Sequence, residues 1–560
     1  MPSSSPALLA SPVLLLALAC GSPEPTAKPR LFSGGELRPE QAAYDVLSYA
    51  LELRVDPEAR EIQGACTVRA RLLEPLDVLL LDLDPALEVV GAQEGDELLA
   101  VERGHGTVEV DLGGERPAGT ELAVRVEYGG APRVAPRPPW EGGFQWEQTP
   151  SGAPWIATSN QMDGADLWWP CKDHPSDKPD EMWLTIEVPE GLRCVTNGRS
   201  TGVEIVDGWE RSSWHVSTPI SNYCVALNIA PYVEIALEYE STSGDTFPLT
   251  FWALPESEEQ ARAILPEFAA HMRFFEERFG PYPFRADKYA VVETPHLGME
   301  HQTVIAYGNQ FRDDPWDYDW LHHHELSHEW FSNLVTAPDW NDFWIHEGFG
   351  TYTQNLWIEQ THGADGLRRS MDAHLPRILN LRAVAPRSAK HTGEMYFTSL
   401  EGEWGQLQSD SDIYFKGAWF LHTLRWHIGD EALFGAMRRL CYPTEALERV
   451  TDGSHCHFAT TDDFLALAEE ASGMELDGLF EVYLRQPALP ELLVEQTGTQ
   501  LQLRWQLPEG VDADFDLAVP VEVAGSEHRV AMPGGMGTLE LPAADALWEV
   551  DPAHWLLRVD

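Results

Sequence analysis

Residues 324–347 read HELSHEWFSNLVTAPDWNDFWIHE, and the spacing of four side chains in this stretch sets the reading of everything around it. His324 and His328 are four residues apart. On an α-helix that separation places them about 40° apart around the axis and about 6 Å along it, close enough for two imidazoles to share one ion. Eighteen residues then separate His328 from Glu347. That length finishes one helix, turns through Ala337, Pro338 and Asp339, and starts a second helix that brings a carboxylate back to the same point. Two imidazoles and one carboxylate leave a fourth position for water, which is the donor set of a catalytic zinc and not of a structural one. Glu325 sits beside the first ligand without being one. Zinc lowers the pKa of water to roughly 7, and a neighbouring carboxylate can then take its proton. His322 and His323 precede the motif out of frame and are expected to be solvated or to stand behind the ligands. His346 is expected either to hydrogen-bond behind a ligand or to lie at the surface.

Two further motifs flank this one in order along the chain: GMEH at residues 298–301 and YFKG at residues 414–417. Together the three resemble the zinc aminopeptidase family of aminopeptidase N and leukotriene hydrolase, and the similarity runs from about residue 40 to the C-terminus. The resemblance implies one Zn2+ per chain on His324, His328 and Glu347, with Glu325 as general base. It implies that Tyr414 stabilises the tetrahedral intermediate, a role suited to a phenol that remains a hydrogen-bond donor at neutral pH. Gly298, Met299 and Glu300 fall in the family's exopeptidase motif, where Glu300 would bind the free α-ammonium of the substrate. A fixed carboxylate one residue from the scissile bond selects a charged N-terminus, because an internal peptide would leave it unpaired in a closed pocket. His301 departs from the family, in which asparagine is commonest. Gln161, in TSNQMDGADLWWPCKDHPSDKP, stands where the family helps to hold the substrate N-terminus. Lys416 and Gly417 read as helix-packing features.

The substrates expected from this resemblance are peptides with a free N-terminus. An epoxide hydrolase of the leukotriene hydrolase type is one alternative, and a zinc-binding homologue without catalysis is another. Oligomeric state is not legible. With 90 acidic against 38 basic residues the formal net charge is −52, which argues against nucleic acid as a partner and favours solubility.

The 560 residues are too many for one compact core and suggest about three domains. The implied architecture is multidomain α+β: an N-terminal β saddle, a thermolysin-like, mainly helical catalytic domain and a small C-terminal β-sandwich, without the large C-terminal helical domain of many relatives. Residues 40–243 are β-rich: Tyr49, Leu51, Leu53 and Val55 alternate with polar neighbours, and Cys66, Val68, Ala70 and Leu72 repeat the period. A long loop is expected over residues 129–139. Residues 244–482 are expected to be the catalytic domain, with helices over residues 256–279, at the metal motif and over residues 414–428. Alternation returns over residues 483–560, in Leu501, Leu503, Trp505 and Leu507 and again in Phe515, Leu517 and Val519.

An apolar run from Ala7 to Ala19 ends in Cys20 and reads as a signal-peptide core within residues 1–20. Ala17, Leu18, Ala19 and Cys20 loosely resemble a bacterial lipobox, which makes Cys20 a candidate lipid anchor, residues 21–39 a linker and the chain an exported, membrane-anchored or periplasmic protein. The six remaining cysteines permit disulfides, with Cys441 and Cys456, or Cys171 and Cys194, as local pairs. None has CxxC spacing, so a second structural metal is not expected.

Overall fold

A computed structural model describes residues 32–161, 163–399 and 407–559. The expected leader, Cys20 and the stretch of linker up to residue 31 lie outside the described residues. The alternation predicted for the first half is realised as β-strands. Strand Tyr44–Asp56 buries Leu51, Leu53 and Val55 while Glu52 and Arg54 face solvent, and its hairpin partner Glu61–Leu72 buries Cys66, Val68, Ala70 and Leu72. A period of two puts every second side chain into the core. The first strand pairs antiparallel with this partner and parallel with Glu181–Pro189, at the centre of an eight-stranded sheet. The strand Glu121–Gly130 runs through Gly129, which pairs with Gln63 on one side and Glu88 on the other, so the expected loop begins after residue 130. Ladder pairing uses backbone groups, so glycine does not end it.

A four-stranded sheet, Gly143–Gln148, Pro154–Ser159, Arg193–Val195 and Asn228–Ala230, carries the chain directly into Gln161. A five-stranded sheet follows, in the order Val233–Glu240, Thr246–Ala253, Tyr289–Glu293, Ile305–Tyr307, Gly298–Met299. It takes strands from both sides of residue 243, and the region expected to turn helical at residue 244 opens with a strand that buries Phe247, Leu249 and Phe251. Gly298 and Met299 form the edge of this sheet, next to Glu300.

The helices appear where periodicity places them. Glu258–Phe279 buries Ala261, Leu265, Phe268, Met272, Phe275 and Phe279, a stripe of helical spacing. Trp320–Ser327, Trp344–Asp372 and Asp412–Ile428 complete the frame of the site. The last two lie against each other where both carry glycine. A Cβ on Gly348 would stand 3.0 Å from the Ile413 carbonyl oxygen and 3.1 Å from the Gly417 Cα. This close approach is what sets Tyr414 against the helix bearing Glu347. Lys416 donates to the carbonyls of Gln486 and Pro487 at 3.1 and 2.6 Å and ties the same helix to the start of the C-terminal strands.

Those strands form two three-stranded sheets, Glu491–Thr497, Gln500–Gln506 and Met536–Glu540 in one, Ser526–Val530, Val519–Val523 and Trp548–Val550 in the other. Leu501, Leu503 and Trp505 are buried as expected. Phe515 and Leu517 are also buried but belong to no ladder, and the strand begins at Val519. Alternation reports which side chains are buried; a strand also needs a partner for its backbone. The six cysteines in the described residues are all free, which corrects the expected local pairs. Cys224, for instance, donates to Asn333 at 3.2 Å.

The glycine contact leads to a prediction. Gly348→Val should cost about 1–3 kcal/mol through overpacking against the Tyr414 helix, read as a lower urea midpoint. Gly435→Ala, at a helical position with no atom within 4 Å of the added carbon, should instead stabilise by about 0.5–1 kcal/mol.

Candidate metal centre and cleft

The helix Trp320–Ser327 starts at Asp319, whose side chain accepts from the His322 backbone N–H at 2.9 Å. After His328 the chain passes through one wide turn, Glu329–Leu334, in which Phe331 and Ser332 leave helical geometry. It then runs through Asp339, which caps Trp340, into the helix Trp344–Asp372. Glu347 therefore sits in the first turn of the returning helix. His346, buried beside it, accepts from the Ala337 N–H at 2.9 Å and so pins the connection to the helix it enters. The surface alternative for His346 is excluded by this burial.

The three predicted ligands meet. His324 Nε2 lies 3.3 Å from His328 Nε2, and Glu347 Oε2 lies 3.3 Å from the first and 3.5 Å from the second. Hydrogen bonds behind the rings decide their tautomers. His328 Nδ1 faces the Phe331 carbonyl at 3.2 Å, which can only accept, so Nδ1 carries the proton. Gln354 donates its amide N–H to the Trp320 carbonyl at 3.1 Å and so presents its oxygen to His324 Nδ1 at 3.2 Å, with the same result. Burial lowers the pKa of His328 to about 4 and keeps it neutral. Burial opposes ionisation of Glu347, and positive charge at the position it shares with His328 and His324 outweighs burial and holds its carboxyl below the ordinary range. Two nitrogen lone pairs and one carboxylate oxygen therefore converge without a proton among them, and Glu347 Oε2 receives no hydrogen bond. A cation fits this donor set, and two His with one carboxylate suit a divalent transition metal.

Glu325 is buried and turned toward the same point, since carboxylate oxygens of Glu325 and Glu300 and a ring nitrogen of His328 lie within 4.8 Å of one another. Gly298 makes room for it: a Cβ there would stand 2.7 Å from Glu325 Oε1 and 2.6 Å from Leu321 Cδ1. Glu300 Oε1 accepts from Gln161 Nε2 at 2.5 Å and from the Tyr223 hydroxyl at 3.1 Å, while the Gln161 amide also reaches Glu347 Oε1 at 3.2 Å. Burial, reinforced by the Glu347 charge, pushes the Glu300 carboxyl up to about 8. Burial likewise raises Glu325, with Glu300 and Glu347 adding to it. Met299 is buried at the cleft wall.

Tyr414 stands on the other side of the ligands, its ring 6.1 Å from that of His324 and nearly parallel to it. Burial, with the nearby Glu347 charge, raises its pKa well above 10 and keeps the phenol protonated. Gln161, Gly298, Met299, Glu300, His324, Glu325, His328, Glu347 and Tyr414 all line one cavity of about 730 Å³.

Sequence reasoning missed Tyr223 and Ser332. Tyr223, within SNYC, orients Glu300 and exchanges a 2.7 Å hydrogen bond with Ser332, and neither belongs to a motif that could have marked it. It misplaced His322 and His323, which are buried and not solvated. His322 stacks on Phe268 at 3.5 Å, and His323 packs among Phe274, Phe275 and Trp357. They face the helix Glu258–Phe279 because 100° per residue turns them away from the ligand face. His301 is fully buried, faces His296 at 6.4 Å and takes no part in lining the cavity.

Residues 266–483 match the family model described as Peptidase family M1 domain. The chain is 28% identical over 299 residues to aminopeptidase N of Haemonchus contortus, covering 50% of this chain and 30% of that one. It is 24% identical over 514 residues to aminopeptidase M1-B of Oryza sativa subsp. japonica, covering 85% and 53%. The chain thus spans about half or less of the length of these relatives. A solved M1 zinc metallopeptidase from Deinococcus radiodurans superposes with a TM-score of 0.63 at 24% identity, covering 82% of this chain and 96% of that one. A mutant of that enzyme bound to a Tyr-Ser-Ala substrate superposes equally well, with a TM-score of 0.63 over 80% and 95%. The family match falls on the segment that carries the converging ligands, Glu300, Glu325 and Tyr414, and over that segment the chain is similar to the M1 peptidase family.

Proposed function

We propose that this chain is a zinc-dependent aminopeptidase that removes the N-terminal residue from peptides. The observation that carries the proposal is the position of Glu300, a buried carboxylate held by Gln161 and Tyr223 within one cavity with the three converging ligands. An endopeptidase has no use for an uncompensated carboxylate at that place, whereas a substrate α-ammonium pairs with it. The aminopeptidase names of the relatives and the peptide bound to the Deinococcus enzyme support the same substrate class.

A zinc ion on His324, His328 and Glu347 would supply Lewis acidity toward a carbonyl and make water acidic near neutral pH. The remaining work falls to side chains. Glu325 takes the proton from the attacking water and later delivers it to the leaving amine. The Tyr414 hydroxyl donates to the carbonyl oxygen as negative charge develops on it. Glu300, with Gln161 beside it, fixes the substrate ammonium so that the first peptide bond reaches these groups.

Export forms part of the proposal and rests on the apolar run before Cys20. No helix among the described residues is long and apolar enough to cross a membrane. Mass spectrometry of the protein from its native host should find the chain beginning at a lipid-modified Cys20; an unmodified Met1 would remove the leader and the anchor together.

Alanyl- and leucyl-arylamides should be cleaved while their N-acetylated forms are not, with activity lost to a chelator and regained with zinc. Equal cleavage of blocked substrates would assign an endopeptidase instead. Glu325→Gln should lower kcat by about 10²–10⁴-fold while zinc measured by atomic emission stays at one per chain. Near-normal turnover in that variant would remove Glu325 from the proton transfer.

A further inference from the structure

Two arginines line the cleft. Arg137 is ion-paired with Glu141 at 3.4 Å. Arg377 has no carboxylate or hydrogen-bonding partner for its guanidinium among the described residues; its contact is the ring of Phe415, 3.9 Å below the guanidinium carbon. In a chain with 90 acidic residues against 38 basic ones, an arginine with no acidic partner among the described residues, at a cleft lined by carboxylates, is unusual. Stacking of the guanidinium face on an aromatic ring leaves its N–H edge open, and that edge is the shape that grips a carboxylate through two parallel hydrogen bonds.

The position of Arg377 is built. It closes the short helical turn Leu375–Arg377, and two backbone N–H groups just beyond it, those of Leu379 and Asn380, donate to the two carboxylate oxygens of Asp412 at 2.6 and 2.7 Å. Asp412 starts the helix that carries Tyr414 and Phe415. The clamp therefore fixes the segment that follows Arg377 to the element that presents Tyr414. From the ligands outward the order is His324, Tyr414 at 6.1 Å between rings, Phe415 at 6.2 Å from Tyr414, then Arg377. Measured from Tyr414, which faces the scissile carbonyl in the aminopeptidase reading, the steps to Phe415 and on to Arg377 are of a length that about three residues cover at about 3.3 Å per residue.

We propose that Arg377 is a specificity residue that binds a substrate carboxylate beyond the scissile bond, so that the enzyme favours short peptides whose C-terminus reaches it or peptides with an acidic side chain there. The inference rests on the aminopeptidase reading. It also explains how an anionic group is accepted by a protein whose overall field repels anions.

The test compares kcat/KM for Leu-Gly-Gly against Leu-Gly-Gly-amide, and for Leu-Gly-Glu-amide against Leu-Gly-Gln-amide, in the wild type, Arg377→Gln and Arg377→Lys. Each ratio is taken within one enzyme, so a general loss of activity cancels. The wild type should favour the carboxylate in at least one pair by about tenfold, the size expected of a charge-assisted hydrogen bond. Arg377→Gln should bring that ratio to about one, and Arg377→Lys should restore part of it. The first pair identifies the C-terminal carboxylate as the source and the second an acidic side chain. Ratios near one in the wild type, or a preference that survives in Arg377→Gln, overturn the proposal. If neither leucyl-arylamide nor any peptide is hydrolysed, it is the aminopeptidase reading that fails. Calorimetric titration of the same four peptides then decides the role of Arg377 by whether the carboxylate forms bind more tightly and lose that advantage in Arg377→Gln.

Discussion

Three acceptor atoms aimed at one point, with no proton to share, are the constraint on which the rest of this structure depends. His324 Nε2, His328 Nε2 and Glu347 Oε2 stand 3.3 to 3.5 Å apart. Their mutual repulsion is tolerable only with a cation among them, and the protein commits to that arrangement from behind. The Phe331 carbonyl and the Gln354 amide hold the protons on the far nitrogens. Rings free to change tautomer would hydrogen-bond to Glu347 and close the site on itself. The Phe331 interaction exists because the chain leaves helical geometry just after His328, so the break in the helix is part of how the ligand is oriented.

The same pocket concentrates negative charge. Glu300, Glu325 and Glu347 are all buried within it, and burial works against ionisation of each. What separates them is the partner each has. Glu347 faces two imidazoles, Glu300 faces the Gln161 amide and the Tyr223 hydroxyl, and Glu325 is raised by burial with its two acidic neighbours adding to it. In the proposed reading a metal and a substrate ammonium would supply the missing positive charge at the two ends, with Glu325 between them. This division of labour among chemically identical groups comes from their surroundings alone.

Packing enforces the geometry at longer range. Tyr414 reaches the ligands because two helices approach through Gly348 and Gly417 with no side chain between them. The Asp412 carboxylate, at the start of the same helix, clamps the segment that follows Arg377. One element thus presents the Tyr414 hydroxyl beside the ligands and orders the cleft beyond it. Gln161 arrives from a different sheet, just after Pro154–Ser159, so the pair it forms with Glu300 is made where β-rich and helical regions of the chain meet.

The local pattern of residues was sufficient for whatever depends on short-range periodicity. The four-residue step from His324 to His328, the eighteen-residue return to Glu347, the alternation of Leu51, Leu53 and Val55 and the helical stripe through Phe268, Met272 and Phe275 are all properties of a few consecutive turns or pleats. The family motifs extended this reach to Glu300, Gln161 and Tyr414, which the fold brings into one cavity. Whatever depends on which distant segments touch was decided only by tertiary structure. Tyr223 and Ser332 lie 109 residues apart, and no spacing rule connects them to Glu300. His322 and His323 are polar by composition and buried by the neighbouring helix, the six cysteines among the described residues stay unpaired, and Phe515 and Leu517 are core residues without a strand. A sequence specifies the directions in which side chains leave the backbone; burial, pairing and electrostatic environment belong to the partners that folding brings alongside.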